Sequence, residues 1–139
     1  MNTIIEREIV KSFFLKNKQD RLIWELNDHR KRKRFVDRIA HTTYIDESCM
    51  KVSEMNSLEE VKHFLQNISG TNEIYMIGES YIGEITIDNA INYLRRNEIC
   101  ILYCGNGIGY YQPEENYGDF KKYILKKRVC DIFSVNEIS

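Results

Sequence analysis

Apolar residues at helical spacing predict two helices in the first third of the chain. The first covers 3–17, and the second covers 29–41, where Asp28 is a residue type that caps helix N-termini. Between them, residues 21–26 fit a strand or a helix equally well, because their apolar residues alternate as in a strand and yet could continue the first helix. The N-terminal half is therefore expected to be mainly helical.

Two further helices have clear boundary signals. Ser57 and Glu60 form a capping-box sequence ahead of an apolar stripe that ends at Gly70, a typical helix terminator. Thr86 precedes another apolar stripe, which closes with arginines at 95 and 96, where the helix dipole favours cations. The segment just before Thr86 is expected to be a loop.

Short apolar runs predict the strands. Residues 73–79 and 99–104 lie on either side of the fourth helix, an order typical of a βαβ crossover. Residues 105–107 read Gly-Asn-Gly, which tolerates positive φ and predicts a tight turn into an antiparallel strand over 108–112. Residues 123–125 predict one more strand.

Together these elements predict a single α+β domain over residues 1–139. A helical N-terminal half packs on a small mixed sheet, which contains one βαβ crossover and a C-terminal hairpin. With 139 residues, of which 42% are hydrophobic, the chain can bury a core without metals or disulfides. It shows no signal-peptide features and no apolar run near the roughly 18 residues that span a bilayer, so we expect a cytoplasmic protein that does not contact membranes.

Charge is concentrated in the run His-Arg-Lys-Arg-Lys-Arg at residues 29–34, although the net charge of the whole chain is only −1. On the predicted helix, Arg30, Arg34, Arg38 and His41 fall within about 80° of one another and form an outward stripe. Arg32 points toward the apolar side and is not expected to contact a partner. Several cations in one first helical turn oppose the helix dipole, which is more typical of a functional surface than of a neutral one.

A second basic cluster surrounds the last predicted strand, with Lys121 and Lys122 before it and Lys126, Lys127 and Arg128 after it. Outside residues 30–38 and 121–128, nine basic and twenty acidic residues remain, a balance of −11. A single positive patch would attract a polyanion or an acidic protein, whereas basic clusters placed against the acidic segments would not.

Tyrosines and carboxylates follow the Gly-Asn-Gly turn. Tyr110, Tyr111 and Glu114 are candidate contact residues, because tyrosine and arginine often anchor interfaces; half-buried tyrosines at a sheet edge are the ordinary alternative.

Catalytic and metal signatures are weak. The four cysteines contain no Cys-x-x-Cys pair, and the three histidines have no zinc-ligand spacing to them, so we expect no metal and no cofactor. His41 beside Arg34 and Arg38 could act as an acid or base next to a phosphate, but a helical histidine more often caps or packs. No catalytic residue is assigned.

Residues 21–26 read Arg-Leu-Ile-Trp-Glu-Leu, and residues 110–126 contain the pattern Tyr-Tyr-x-x-Glu … Tyr-Gly … Tyr-Ile-Leu-Lys. Together with Lys31, Arg32, Arg34, Arg38 and His41, these segments give the chain a resemblance to a small uncharacterised bacterial domain family of unknown function. It covers about half of the chain and implies a bacterial or phage origin, with no activity attached.

We therefore expect a small interaction protein, in its leading form a protein-binding inhibitor of the immunity or antitoxin kind that acts by steric occlusion. The first alternative is a nucleic-acid-binding protein that uses the clusters at 30–38 and 121–128. Such binding would depend strongly on salt, although no RNP or KH motif is present. The second alternative is a phosphoryl-handling enzyme centred on His41.

Overall fold

The computed structural model of the protein describes residues 2–115 and 121–128. Within these residues, six strands form one sheet and five α-helices pack against it. The helices are α1 (Thr3–Phe13), α2 (Gln19–Asn27), α3 (Arg32–Ile39), α4 (Leu58–Ser69) and α5 (Ile87–Arg95). The strands are β1 (Met50–Val52), β2 (Glu73–Gly78), β3 (Ile82–Thr86), β4 (Cys100–Gly105), β5 (Ile108–Gln112) and β6 (Tyr123–Lys126). The α+β class predicted from the sequence is confirmed.

The sheet lies between two helical layers. Its strand order is β1-β6-β5-β4-β2-β3, and every neighbouring pair is antiparallel. On the front face, Tyr75, Ile101 and Tyr111 pack with residues of α1, α2 and α3. On the back face, Met76 and Leu102 pack with residues of α4 and α5. Because alternate residues of one strand face opposite layers, the central strands are apolar on both faces.

The helices with clear boundary signals form as predicted. The Ser57 hydroxyl accepts a hydrogen bond from the Glu60 N–H at 3.2 Å, and α4 ends at Gly70 with φ +69°. Thr86 caps α5 through the N–H of Asn89 at 3.3 Å. These signals are local, so they act wherever the helix sits in the fold.

Three boundaries in the N-terminal half differ from the predictions or decide between them. Residues 21–26 belong to helix α2 rather than to a strand. The first helix ends at Phe13 instead of residue 17, because Phe14 is extended and bridges to Ile45. The third helix begins at Arg32 instead of residue 29, because residues 28–31 form a turn in which Asp28 accepts from the N–H of Arg30. The first turn of the helix is then Arg32-Lys33-Arg34, so the expected conflict between cations and the helix dipole remains.

The predicted βαβ crossover starts from the wrong strand, because 73–79 and 99–104 pair antiparallel, and neighbouring strands of the sheet are antiparallel rather than mixed. The predicted loop before Thr86 contains β3, which forms a hairpin with β2 and reverses the chain. Helix α5 therefore connects β3 to β4, which run parallel to each other on opposite sides of β2. The hairpin β4–β5 and strand β6 form where predicted, whereas the three-residue β1 has too few residues to show a periodic pattern.

Candidate interaction site

The basic run at residues 29–34 divides into an internal part and an exposed part. Arg32 is internal: its guanidinium donates to Glu6 Oε2 at 2.6 Å and to the Leu26 carbonyl at 2.7 Å, and Glu6 also accepts from the Tyr75 hydroxyl at 2.5 Å. This burial confirms the prediction that Arg32 points toward the apolar side of the helix. Its charge is neutralised inside the protein.

Arg38 is also used internally, so its place in the predicted outward stripe is wrong. Its Nε and Nη2 donate to the two carboxylate oxygens of Glu25 at 2.7 Å each, and its Nη1 donates to the Tyr44 hydroxyl. Hydrogen bonding to the Glu25 carboxylate raises the pKa of Arg38 above its ordinary value. The helical spacing of α3 could not reveal this pair, since Glu25 comes from α2.

In the rest of the run, the half-buried Lys31 contacts the side chain of Trp24. Trp24 is 49% exposed, and the Lys31 ammonium lies 4.8 Å from the centroid of its ring. Three other cations close to Lys31 in the sequence are exposed, namely Arg30, Lys33 and Arg34. We call the set Trp24, His29, Arg30, Lys31, Lys33 and Arg34 the tryptophan tip; it lies at the turn that joins α2 to α3.

Asp28 is the acidic residue within this turn. Its Oδ1 lies 3.6 Å from Arg30 Nε, and the Arg30 side chain remains 80% exposed. The pKa of Asp28 is lowered, mainly because the carboxylate accepts the Arg30 backbone N–H. An exposed pair of this kind contributes little to stability and leaves Arg30 accessible to a partner.

The second basic cluster does not form one surface. Lys121 and Lys122 precede β6, whereas Lys126 and Lys127 lie at its other end, about 13 Å away along the strand. Lys127 lines a groove with residues of α1, including Arg7 and Lys11. Burial lowers the pKa of Lys122. The positive charge of this cluster is thus divided between two places.

Arg128, the last member of this cluster, is buried. Its Nε donates to Asp46 Oδ2 at 2.8 Å, and its two terminal nitrogens donate to the carbonyls of Lys11 and Phe14. It therefore joins the end of α1 to the segment after α3 and offers no charge to a partner.

An open pocket brings together three of the predicted site residues. His41, Glu114 and Lys121 line a cavity of about 320 Å³, and the Glu114 N–H donates to the Ala40 carbonyl at 2.9 Å. His41 lies just beyond the end of α3 opposite the tryptophan tip, and the eight residues of this helix separate them by about 12 Å. An imidazole, an ammonium and a carboxylate in one cavity suit a zwitterionic group, and the enzyme hypothesis at His41 stays a prediction.

The tyrosines after the turn are not contact residues. Tyr111 is fully buried, and its hydroxyl donates to the carbonyls of Ile39 and His41 at 2.5 and 3.1 Å. Tyr110 is buried on the other face of the sheet, against α4 and α5. Burial raises the pKa of both phenols. This part of the predicted surface is wrong, because β5 lies inside the sheet rather than at its edge.

Comparison of the chain with protein-family models, curated protein sequences and solved structures gives no match. No family is therefore assigned, and the chemistry of the described residues is what indicates a function. Among them, no three His, Cys, Asp or Glu side chains are grouped so that they could hold a metal ion. No helix in the described part of the chain is long and apolar enough to cross a membrane.

Proposed function

We propose that this protein is a small interaction protein that binds an acidic surface of a partner protein through the tryptophan tip. In its most specific form it is an inhibitor of the immunity or antitoxin kind, which covers the partner's working surface. The observation that supports this proposal is the half-exposed ring of Trp24 in contact with Lys31, a residue close in sequence to the exposed Arg30, Lys33 and Arg34.

The composition of the tip is that of an energetic centre of a protein interface. Tryptophan and arginine carry a disproportionate share of binding energy in such interfaces. The cation–π contact with Lys31 holds the Trp24 ring in place before a partner arrives, so less conformational entropy is lost on binding. A ring that is preordered but half exposed still has apolar area to bury.

Charge at the tip favours an acidic partner. Arg30, Lys33 and Arg34 are exposed, whereas the internal arginines at 32, 38 and 128 are paired with Glu6, Glu25 and Asp46. The exposed cations would attract carboxylates of the partner during approach and would exclude basic partners. Occlusion would follow if the body of the domain covers the acidic site.

Single-stranded nucleic acid is the second candidate ligand, since an exposed tryptophan beside arginines is a platform on which bases stack. It comes second to an acidic protein because the basic residues do not form a continuous track. A backbone of phosphates is best bound by a continuous basic track. Here the internal pairing of Arg38 interrupts the line from the tip to His41 and Lys121.

Trp24 is the only tryptophan of the chain, so its fluorescence reports on the tip directly. We would titrate the full chain with poly-L-glutamate, with a single-stranded oligothymidylate and with duplex DNA at several salt concentrations. The proposal predicts a saturable change in Trp24 fluorescence as poly-L-glutamate is added. The affinity for poly-L-glutamate should be about tenfold or more weaker in Arg34→Glu. The matched variant Arg95→Glu, on α5, should bind as the unaltered protein does.

Two results would contradict the proposal. Tighter binding of the oligothymidylate, with a steep salt dependence, would favour the nucleic-acid candidate instead. Equal weakening by Arg34→Glu and Arg95→Glu would show attraction by overall charge rather than binding at the tip.

A further inference from the structure

Strand β3 leaves one row of its peptide groups without a neighbouring strand. It is one of the two edge strands of the described sheet, the other being β1, and it has β2 on its inner side. The backbone bonds at the two ends of the β2–β3 hairpin run from Gly78 N–H to the Tyr81 carbonyl and from Ile87 N–H to the Asn72 carbonyl, at 2.9 and 2.8 Å. Since hydrogen-bonded pairs alternate along an antiparallel ladder, Gly83 and Ile85 bond β2, and the groups of Ile82 and Glu84 point outward.

A groove flanks this edge on the front face of the sheet. It has a volume of about 280 Å³ and is lined by the carboxylates of Glu8, Glu73 and Glu84 and by the rings of Tyr75 and Tyr103. The Tyr103 hydroxyl donates to the Glu8 carboxylate, which orients that carboxylate at the groove. A side chain entering beside Glu84 would meet negative charge, whereas one entering beside Ile82 would meet a cavity lined by Lys33 and Asp37.

A second groove flanks the same edge on the back face. It has a volume of about 330 Å³ and lies between β3 and α5. The rings of Tyr81 and Tyr93 stack there with centroids 6.2 Å apart, and the exposed Asn89 and Asn92 line its wall. A side chain on this face would meet the two rings within a polar wall that also includes Arg96, whose guanidinium lies 5.1 Å from the centroid of the Tyr93 ring.

We propose that the free edge of β3 binds an extended segment of a partner protein in which basic and apolar residues alternate. The segment would add a strand to the sheet, with main-chain bonds to Ile82 and Glu84. Because successive side chains of a strand point to opposite faces, its basic residues would enter the front groove and its apolar residues the back groove. Strand addition at this edge uses main-chain groups and does not require the function proposed above, although Lys33 of the tryptophan tip lines a cavity with Tyr81 and Ile82.

The Tyr81 side chain protects this edge from pairing with another strand. Its ring lies over Gly83, where a Cβ atom would come within 3.1 Å of the hydroxyl oxygen. The hydroxyl donates to the outward carbonyl of Glu84 at 2.5 Å and so occupies one of the bonds that an added strand needs. Such protection keeps a sheet edge from pairing indiscriminately. Binding requires the Tyr81 hydroxyl to release the Glu84 carbonyl, which makes affinity sensitive to this one group.

The test uses a capped synthetic octapeptide of alternating lysine and valine, with a glutamate–valine octapeptide as its charge control. Amide hydrogen exchange of the full chain is followed by NMR as peptide is added. We expect the outward amides of Ile82 and Glu84 to exchange about fivefold or more slowly at saturation, whereas Gly83 and Ile85 are already protected by β2. The glutamate–valine peptide should bind measurably more weakly.

Three variants separate the contributions. Tyr81→Phe frees the Glu84 carbonyl and should strengthen binding about two- to tenfold. Glu84→Gln keeps the outward amide but removes the charge, and should weaken binding about two- to fivefold. Arg34→Glu, at the tryptophan tip, should leave peptide affinity within about twofold, apart from the general effect of charge.

Several results would overturn the proposal. Unchanged exchange at Ile82 and Glu84 at millimolar peptide would exclude strand addition. Equal affinity for the two peptides would exclude the charge preference. Protection of the same amides that rises with protein concentration in the absence of peptide would assign the edge to a second copy of this chain.

Discussion

Arg38 and Glu25, on neighbouring helices, form a two-point ion pair in which both carboxylate oxygens are bound at 2.7 Å. The Glu25 side chain is fully buried, while the Arg38 side chain is 21% exposed. The pair joins α2 to α3, the two helices that carry the ends of the tryptophan tip.

Loss of the Arg38 guanidinium should destabilise the protein strongly. Arg38→Met leaves the buried Glu25 carboxylate with only Arg21, at 3.7 Å, and should lower the free energy of unfolding by about 3 kcal/mol. Arg34→Met, four residues earlier on the exposed face, should change it by no more than about 0.5 kcal/mol. Urea denaturation followed by circular dichroism measures the free energy of unfolding of both variants. Equal losses would mean that the Arg38–Glu25 pair adds no more stability than an exposed arginine does.

The Tyr75 hydroxyl supports a second buried ion pair. Tyr75→Phe removes the donor to Glu6 and the acceptor for the Asn2 N–H, and should cost about 1–3 kcal/mol. Tyr93→Phe is the control, because the ring of Tyr93 stacks on Tyr81 at the surface. A thermal unfolding midpoint for Tyr75→Phe no lower than that of the control would contradict this role.

Asp46 should make stability depend on acidity. Its pKa is lowered from 3.8 by hydrogen bonds from the Ser48 hydroxyl and N–H, and further by Arg128. A carboxyl group with a lower pKa when folded stabilises the protein above its unfolded pKa, and this contribution is lost as the pH falls through the folded value. Between about pH 5 and pH 2, the unfolding free energy of Asp46→Asn should therefore fall less steeply than that of the unaltered protein.

The control for that pH series is Asp20→Asn, at an exposed position of α2. Its slope should follow that of the unaltered protein. If the free energy of unfolding changed equally with pH in all three proteins, protonation of Asp46 would not be coupled to folding.

Local signals in the sequence predicted much of the fold. The capping residues Ser57 and Thr86 and the turn at 105–107 act within a few residues of themselves, so their helices and hairpin form where expected. Strand β3 was missed because its residues, Ile-Gly-Glu-Ile-Thr, form neither an apolar run nor a strict alternation of apolar and polar residues. Its absence from the prediction alone produced the incorrect parallel crossover.

The candidate site was less predictable, because it depends on contacts between distant segments. Helical spacing placed Arg38 on the outward face of α3, but its partner Glu25 lies 13 residues earlier on another helix. The importance of Trp24 could not be read from residues 21–26 while their secondary structure was open. Its position four residues before Asp28, at the end of α2, is what brings it to the basic turn.

The central claim is that the tryptophan tip binds a protein partner, and a photocrosslinker at position 34 can capture that partner from cells for purification. The decisive measurement is the dissociation constant of the purified pair for the unaltered protein, for Trp24→Ala and for Arg95→Ala. We predict that Trp24→Ala weakens binding by about 2–4 kcal/mol, roughly 30- to 1,000-fold, and that Arg95→Ala has no effect. Binding by Trp24→Ala within twofold of the unaltered protein would contradict the account.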